Sequence, residues 1–131
     1  MISHTYLGVH DFQRALLFYL AVMDKLGLKL KFAEAGHGWA GWTEPGQDRP
    51  LFLIGRPYDG QPASAGNGAM IALLAATREI VDAVHGAALE HGGMCEGAPG
   101  LRPQYHANYY GAYFRDLDGN KLAVCCHTAA N

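Results

Sequence analysis

The chain repeats its own plan. His4 to Asp11 is seven positions, and Met70 to Thr77 is also seven; Asp11 to Gly27 is sixteen, and Thr77 to Gly93 is again sixteen. A single shift of 66 residues therefore matches a strand start, a helix cap and a helix stop. Three landmarks coinciding at one period point to a duplicated structural unit. Whatever architecture the first half adopts, the second must repeat it, and the two must pack together.

Each half reads as a strand, a helix and three more strands. Residues 3–9, "SHTYLGV", form a strand, and Asp11 is a good N-cap. Phe12, Ala15, Leu16, Tyr19 and Met23 then recur at helical spacing until Gly27 stops the helix. Strands are predicted over 28–34, 38–43 and 50–56, separated by turn residues. After a Pro- and Gly-rich connector at about 57–67, "AMIALLAA" restarts the order. Thr77 caps a helix that carries Ile80, Val81, Val84, Ala87 and Ala88 on one side and ends at Gly92 and Gly93. Strands near 94–98, 109–115 and 121–127 complete it. The expected fold is α+β, one domain over 1–131 with βαβββ repeats at about 3–56 and 68–127. Eight strands would curl into an open, barrel-like concave sheet with the helices outside. Such a hollow is a natural ligand pocket. A sandwich without a hollow is the plainer arrangement of the same elements.

Composition narrows the partners. The 131 residues suit a single core, and a net charge of -2 leaves no basic footprint for nucleic acid. No apolar run reaches membrane-spanning length, and the opening residues lack the pattern of a secretory signal. Three cysteines with no spacing pattern argue against a disulfide framework, and Cys125 and Cys126 should point to opposite sides of their strand. A cytoplasmic protein with reduced thiols is expected, with no membrane contact. The sequence contains no GxSxG, GxxxxGK[ST], HExxH or helix-opening GxGxxG motif.

Several polar and aromatic groups stand out. His4 and Tyr6 share one face of the first strand. Arg56 ends a strand, where a guanidinium clamps a carboxylate or phosphate or is simply a surface charge. Trp39 and Trp42 fall on opposite faces, one facing the core or pocket, the other a rim. The loop and strand start "RPQYHANYY", with Tyr105, His106 and Tyr110, reads either as a lid that stacks on a planar ligand or as an anchored surface loop. His106 and His4 are the candidate acid–base groups. His10, His37, His85 and His91 are expected in solvent.

Three stretches carry a family resemblance: "SHTYLGVHDFQRALLFYLAVMDKLGLKL", "GAMIALLAATREIVDAVHGAALEHGG" and "GAYFRDLDGNKLAVCCH". Together they make the chain resemble the glyoxalase / bleomycin-resistance / extradiol-dioxygenase (vicinal oxygen chelate) superfamily over nearly its whole length. The final turn is the most specific, although Leu117 stands where the family usually has proline. The resemblance implies paired βαβββ units around a cavity, often a homodimer, and in many members a divalent metal. Of the implied ligand positions, His4 keeps an imidazole. Met70 stands where many members have histidine, Ala123 where the family usually has glutamate, and Phe52 or Leu53 on the last strand of the first unit offers no carboxylate.

One donor does not hold a metal, so no cofactor is predicted. A shifted site of His4, Cys125 and His127 is the alternative, but His127 lies about 13 Å along the strand from Ala123. The resulting expectation is a metal-free binder of a small aromatic or apolar molecule. Its cavity would be lined by Tyr6, Trp42, Phe52, Met70, Tyr105, Tyr110 and Cys125, with His4, His106 and Arg56 as polar handles. The alternative is a lyase, isomerase or dioxygenase-like enzyme with an altered metal site or metal-independent acid–base catalysis.

Overall fold

A computed structural model describes residues 1–130. The element order is β1 (His4–Gly8), α1 (Phe12–Leu26), β2 (Lys29–Glu34), β3 (Trp39–Thr43), β4 (Leu51–Gly55), β5 (Ile71–Leu74), α2 (Arg78–Glu90), β6 (Met94–Leu101), β7 (Tyr110–Arg115) and β8 (Lys121–Cys126). These are the two βαβββ units that the repeated spacing predicts. The helix signals work as read. The Asp11 carboxylate accepts the Arg14 N–H, Gly27 ends α1 at φ 85°, and the Thr77 hydroxyl accepts the Ile80 N–H. Past α2, Gly92 adopts φ 96° and the Gly93 N–H returns to the Ala88 carbonyl.

The strands form two four-stranded sheets, ordered β1-β4-β3-β2 and β5-β8-β7-β6, and close no barrel. In each, the first strand of the unit runs parallel to the last, and the remaining neighbours are antiparallel.

One hydrophobic core serves both halves. Ala40, Trp42, Phe52 and Ile54 enter it from the first sheet, Ala112, Phe114, Leu122 and Val124 from the second, and both helices supply the rest. Residue alternation then fixes the other face of each sheet. His4, Tyr6, Trp39, Gly41, Leu53 and Gly55 turn away from the core in the first half, and Ala72, Leu74, Gly111, Tyr113, Ala123 and Cys125 in the second.

The halves are also clasped directly. Asp118 accepts the His10 N–H at 2.7 Å, and the Asn120 amide donates to the Gly8 carbonyl at 3.0 Å. Thus the β7–β8 turn of the second unit holds the end of β1 in the first.

His85 departs from its expected place in solvent. It is buried on α2, and its Nε2 lies 3.3 Å from the Cys95 sulfur. Helical spacing places it beside Val81 and Val84 on the core face, and burial lowers its pKa against an opposing pull from Asp82. The unfolded chain protonates His85 at its ordinary value of 6.5, whereas the folded chain resists. Stability contributed at this site is therefore full above that value and lost as pH falls through the lowered folded value. Urea unfolding at pH 7.5 and pH 5 should show a smaller acid loss in His85→Gln than in the natural chain; equal losses would refute the assignment.

Candidate functional site

A hollow of about 990 Å³ lies over the outward face of the first sheet. Its lining comes from β1 (His4, Tyr6, Gly8), the β2–β3 turn and β3 (His37, Trp39), Arg56, and the connector from Pro57 to Ser64. Register explains why an aromatic floor forms here. Tyr6 pairs with Leu53, and Gly55 stands between Gly8 and Trp39 in the ladder. A side chain at Gly55 would collide with the Tyr6 phenol and the Trp39 Cβ, so this glycine lets both rings lie across β4. The Tyr6 hydroxyl donates to the Arg56 carbonyl at 2.5 Å. Burial raises the Tyr6 pKa, which keeps the phenol neutral. Phe32 meets Trp39 edge to face, with ring centroids 4.9 Å apart. His4 Nδ1 bonds Ser3 Oγ at 2.9 Å, leaving its Nε2 unengaged.

The outward face of the second sheet is filled rather than hollow. Tyr109 and Tyr113 share a hydrogen bond of 3.0 Å between hydroxyls. Burial, followed by Tyr113 and Cys125, pushes the Tyr109 phenol far above its ordinary pKa. Tyr105 packs on Tyr109 at 4.9 Å. His106 Nδ1 accepts the Asn108 N–H, so in the neutral ring Nε2 carries the proton and donates to His127 Nδ1 at 2.8 Å. Both nitrogens of His106 are thereby engaged.

The structure brings together His4, Tyr6 and Arg56 of the residues singled out in the sequence. It separates the others. Trp42 and Phe52 belong to the core and do not line this hollow: α1 covers that face, with the Tyr19 ring 6.2 Å from Trp42 and 5.4 Å from Phe52, and together they border a separate cavity of about 330 Å³ with Leu26, Leu28 and Leu73. Tyr110 also points toward the helices, donating to Asp82 of α2 at 2.7 Å beneath the Arg78 guanidinium. Cys125, Tyr105 and His106 belong to the second face, and Met70 lies exposed beside β5. The spacing alone missed Trp39 and His37. Trp39 was half-visible as the partner of Trp42 on the opposite face; His37, expected in solvent, forms part of the rim.

At the positions where the resemblance implies metal ligands, the donor set does not fit an ion. Ala123 is fully buried opposite Tyr113 and beside Ala72, so side-chain packing occupies the place of a carboxylate. Met70 offers a thioether, and Leu51, opposite His4 in the ladder, offers no donor atom. Among the described residues no group of three or more His, Cys, Asp or Glu is placed to hold a metal, and His4, Cys125 and His127 do not come together.

Residues 1–124 match the family model described as Glyoxalase/Bleomycin resistance protein/Dioxygenase superfamily. A crystal structure of a glyoxalase/bleomycin resistance protein from Albidiferax ferrireducens is 35% identical, with a TM-score of 0.85 over 96% of this chain and 98% of that one. The lactoylglutathione lyase from Agrobacterium tumefaciens is 21% identical, with a TM-score of 0.64 over 96% and 92%, and its likeness is one of fold. A family enzyme from Burkholderia phytofirmans is 17% identical, with a TM-score of 0.71 over 96% and 98%. No curated protein matches the chain.

Proposed function

Because the chain belongs to the glyoxalase/bleomycin resistance protein/dioxygenase superfamily, we propose that it has kept the superfamily's cavity while giving up its metal, and that it binds a small, flat, largely apolar molecule in the first-half hollow. One observation carries the reading. An open hollow floored by Tyr6 and Trp39 is present, whereas the position of the family's carboxylate is a buried alanine. Metal sites need about three protein ligands, and here one imidazole remains. Titration with Zn²⁺, Ni²⁺ or Mn²⁺ should show no stoichiometric uptake. Uptake at one ion per chain that disappears in His4→Ala would overturn the metal-free reading. A thermal-shift screen with catechols, thiol adducts and aromatic antibiotics tests binding itself, because a ligand that prefers the folded chain raises its melting point.

We also propose a homodimer and a cytoplasmic setting. The three cysteines are unpaired, which suits a reducing compartment. Among the described residues no helix is long and apolar enough to cross a membrane. The outward side of the second sheet exposes large apolar groups that a second copy would cover: Met70 is 46% exposed and Leu74 68%. Sedimentation should give a dimer for the natural chain and a monomer for Leu74→Asp. A monomeric natural chain at tens of micromolar would refute the pairing.

A further inference from the structure

Among the described residues the Arg56 guanidinium, at the rim of the hollow, has no acidic partner. The ion pairs among the described residues are Lys31–Asp48 and Arg115–Glu96, and no hydrogen bond ties the Arg56 side chain. Its position is nonetheless prepared. Gly38, buried at φ 70°, leaves a groove in which the guanidinium stem rests; a Cβ there would lie 2.9 Å from Arg56 Nε. The backbone of Arg56 is anchored by the Tyr6 hydroxyl. Asp59, the one carboxylate of the lining, already accepts the Gln61 N–H at 3.0 Å. His4 and His37 add imidazole donors around the same space.

We propose that the ligand is a planar aromatic carboxylate, its ring laid on Trp39 and Tyr6 and its anionic end held by Arg56. A guanidinium offers two parallel donors to a carboxylate, a geometry that a neutral amide does not match. The aromatic floor takes the ring by stacking, and Arg56 sets which end faces the connector. This inference rests on the binding reading above and adds the charge of the ligand to it.

The test uses two probes with the same ring, 2-naphthoate and 2-naphthamide, followed by quenching of tryptophan fluorescence and by calorimetry. The natural chain should bind the acid about tenfold or more tighter than the amide, the worth of a charge-assisted hydrogen bond. In Arg56→Gln that preference should vanish, with acid affinity falling far more than amide affinity. Arg56→Lys should recover part of it, and matching thermal melts would show that the exposed substitutions leave the fold intact. Equal binding of acid and amide, or a preference that survives Arg56→Gln, would overturn the inference and leave the binding reading standing. The inference is overturned in the same way if neither probe binds while other compounds of the thermal-shift screen stabilise the chain. If no compound binds at all, the binding reading itself falls and takes the inference with it.

Discussion

Asp116→Ala should destabilise the chain by on the order of 3–5 kcal/mol in urea unfolding, more than any other single polar truncation in it. The carboxylate is buried and takes four donors. One oxygen accepts the Tyr19 hydroxyl at 2.6 Å and the Asn120 side-chain amide at 2.9 Å; the other accepts the backbone N–H groups of Asp118 and Asn120, both at 2.9 Å. Removing it strands a fully buried phenol and frees the turn whose Asn120 and Asp118 hold β1. Burial, with Asp116 beside it, keeps the Tyr19 pKa well above its ordinary value, so the phenol remains a donor throughout the working pH range. Asp116→Asn, which keeps one acceptor oxygen, should fall between the two. A loss below about 1 kcal/mol for Asp116→Ala would show that water replaces the carboxylate and that the turn is not the pin joining the two halves.

The two tryptophans should respond oppositely. Trp42→Ala empties a core position 1% exposed and should cost about 3–5 kcal/mol. Its effect on ligand binding should track the loss of fold and nothing else. Trp39→Ala removes the floor of the hollow and should abolish the fluorescence response to ligands, with a smaller loss of stability because Trp39 is only partly buried. If Trp42→Ala weakened binding in a chain that still melts normally, the assignment of the two faces would be reversed.

That contrast shows what a sequence of this kind discloses. The repeat, the caps at Asp11 and Thr77, and the glycine stops were legible because they depend on local backbone chemistry, which spacing records directly. The opposite facing of Trp39 and Trp42 was legible for the same reason. Which of them looked inward was not, because that depends on the pairing of β3 with β4 and on the side α1 covers, and both are long-range facts. Tyr110 was misplaced on the same grounds: its strand alternates, but only the Asp82 contact from α2 reveals which set of residues is buried. His4 and Tyr6 were placed on one face by strand alternation, and the parallel pairing of β1 with β4 sets the Tyr6 hydroxyl against Arg56. His85 was misread although helical spacing sets it on the face of Val81 and Ala88; the part the sequence could not disclose is the Cys95 sulfur it meets across the packing.

The shared core has a mechanical consequence. Two lobes joined by a cleft can swing about a hinge to swallow a molecule, but here both helices and one side of each sheet are fused into one solid interior. Bending the lobes would tear that interior open. For the binding proposed above, access to the hollow is then governed by the segment that borders it, from Pro57 to Ser64, while the two halves stay fixed relative to each other.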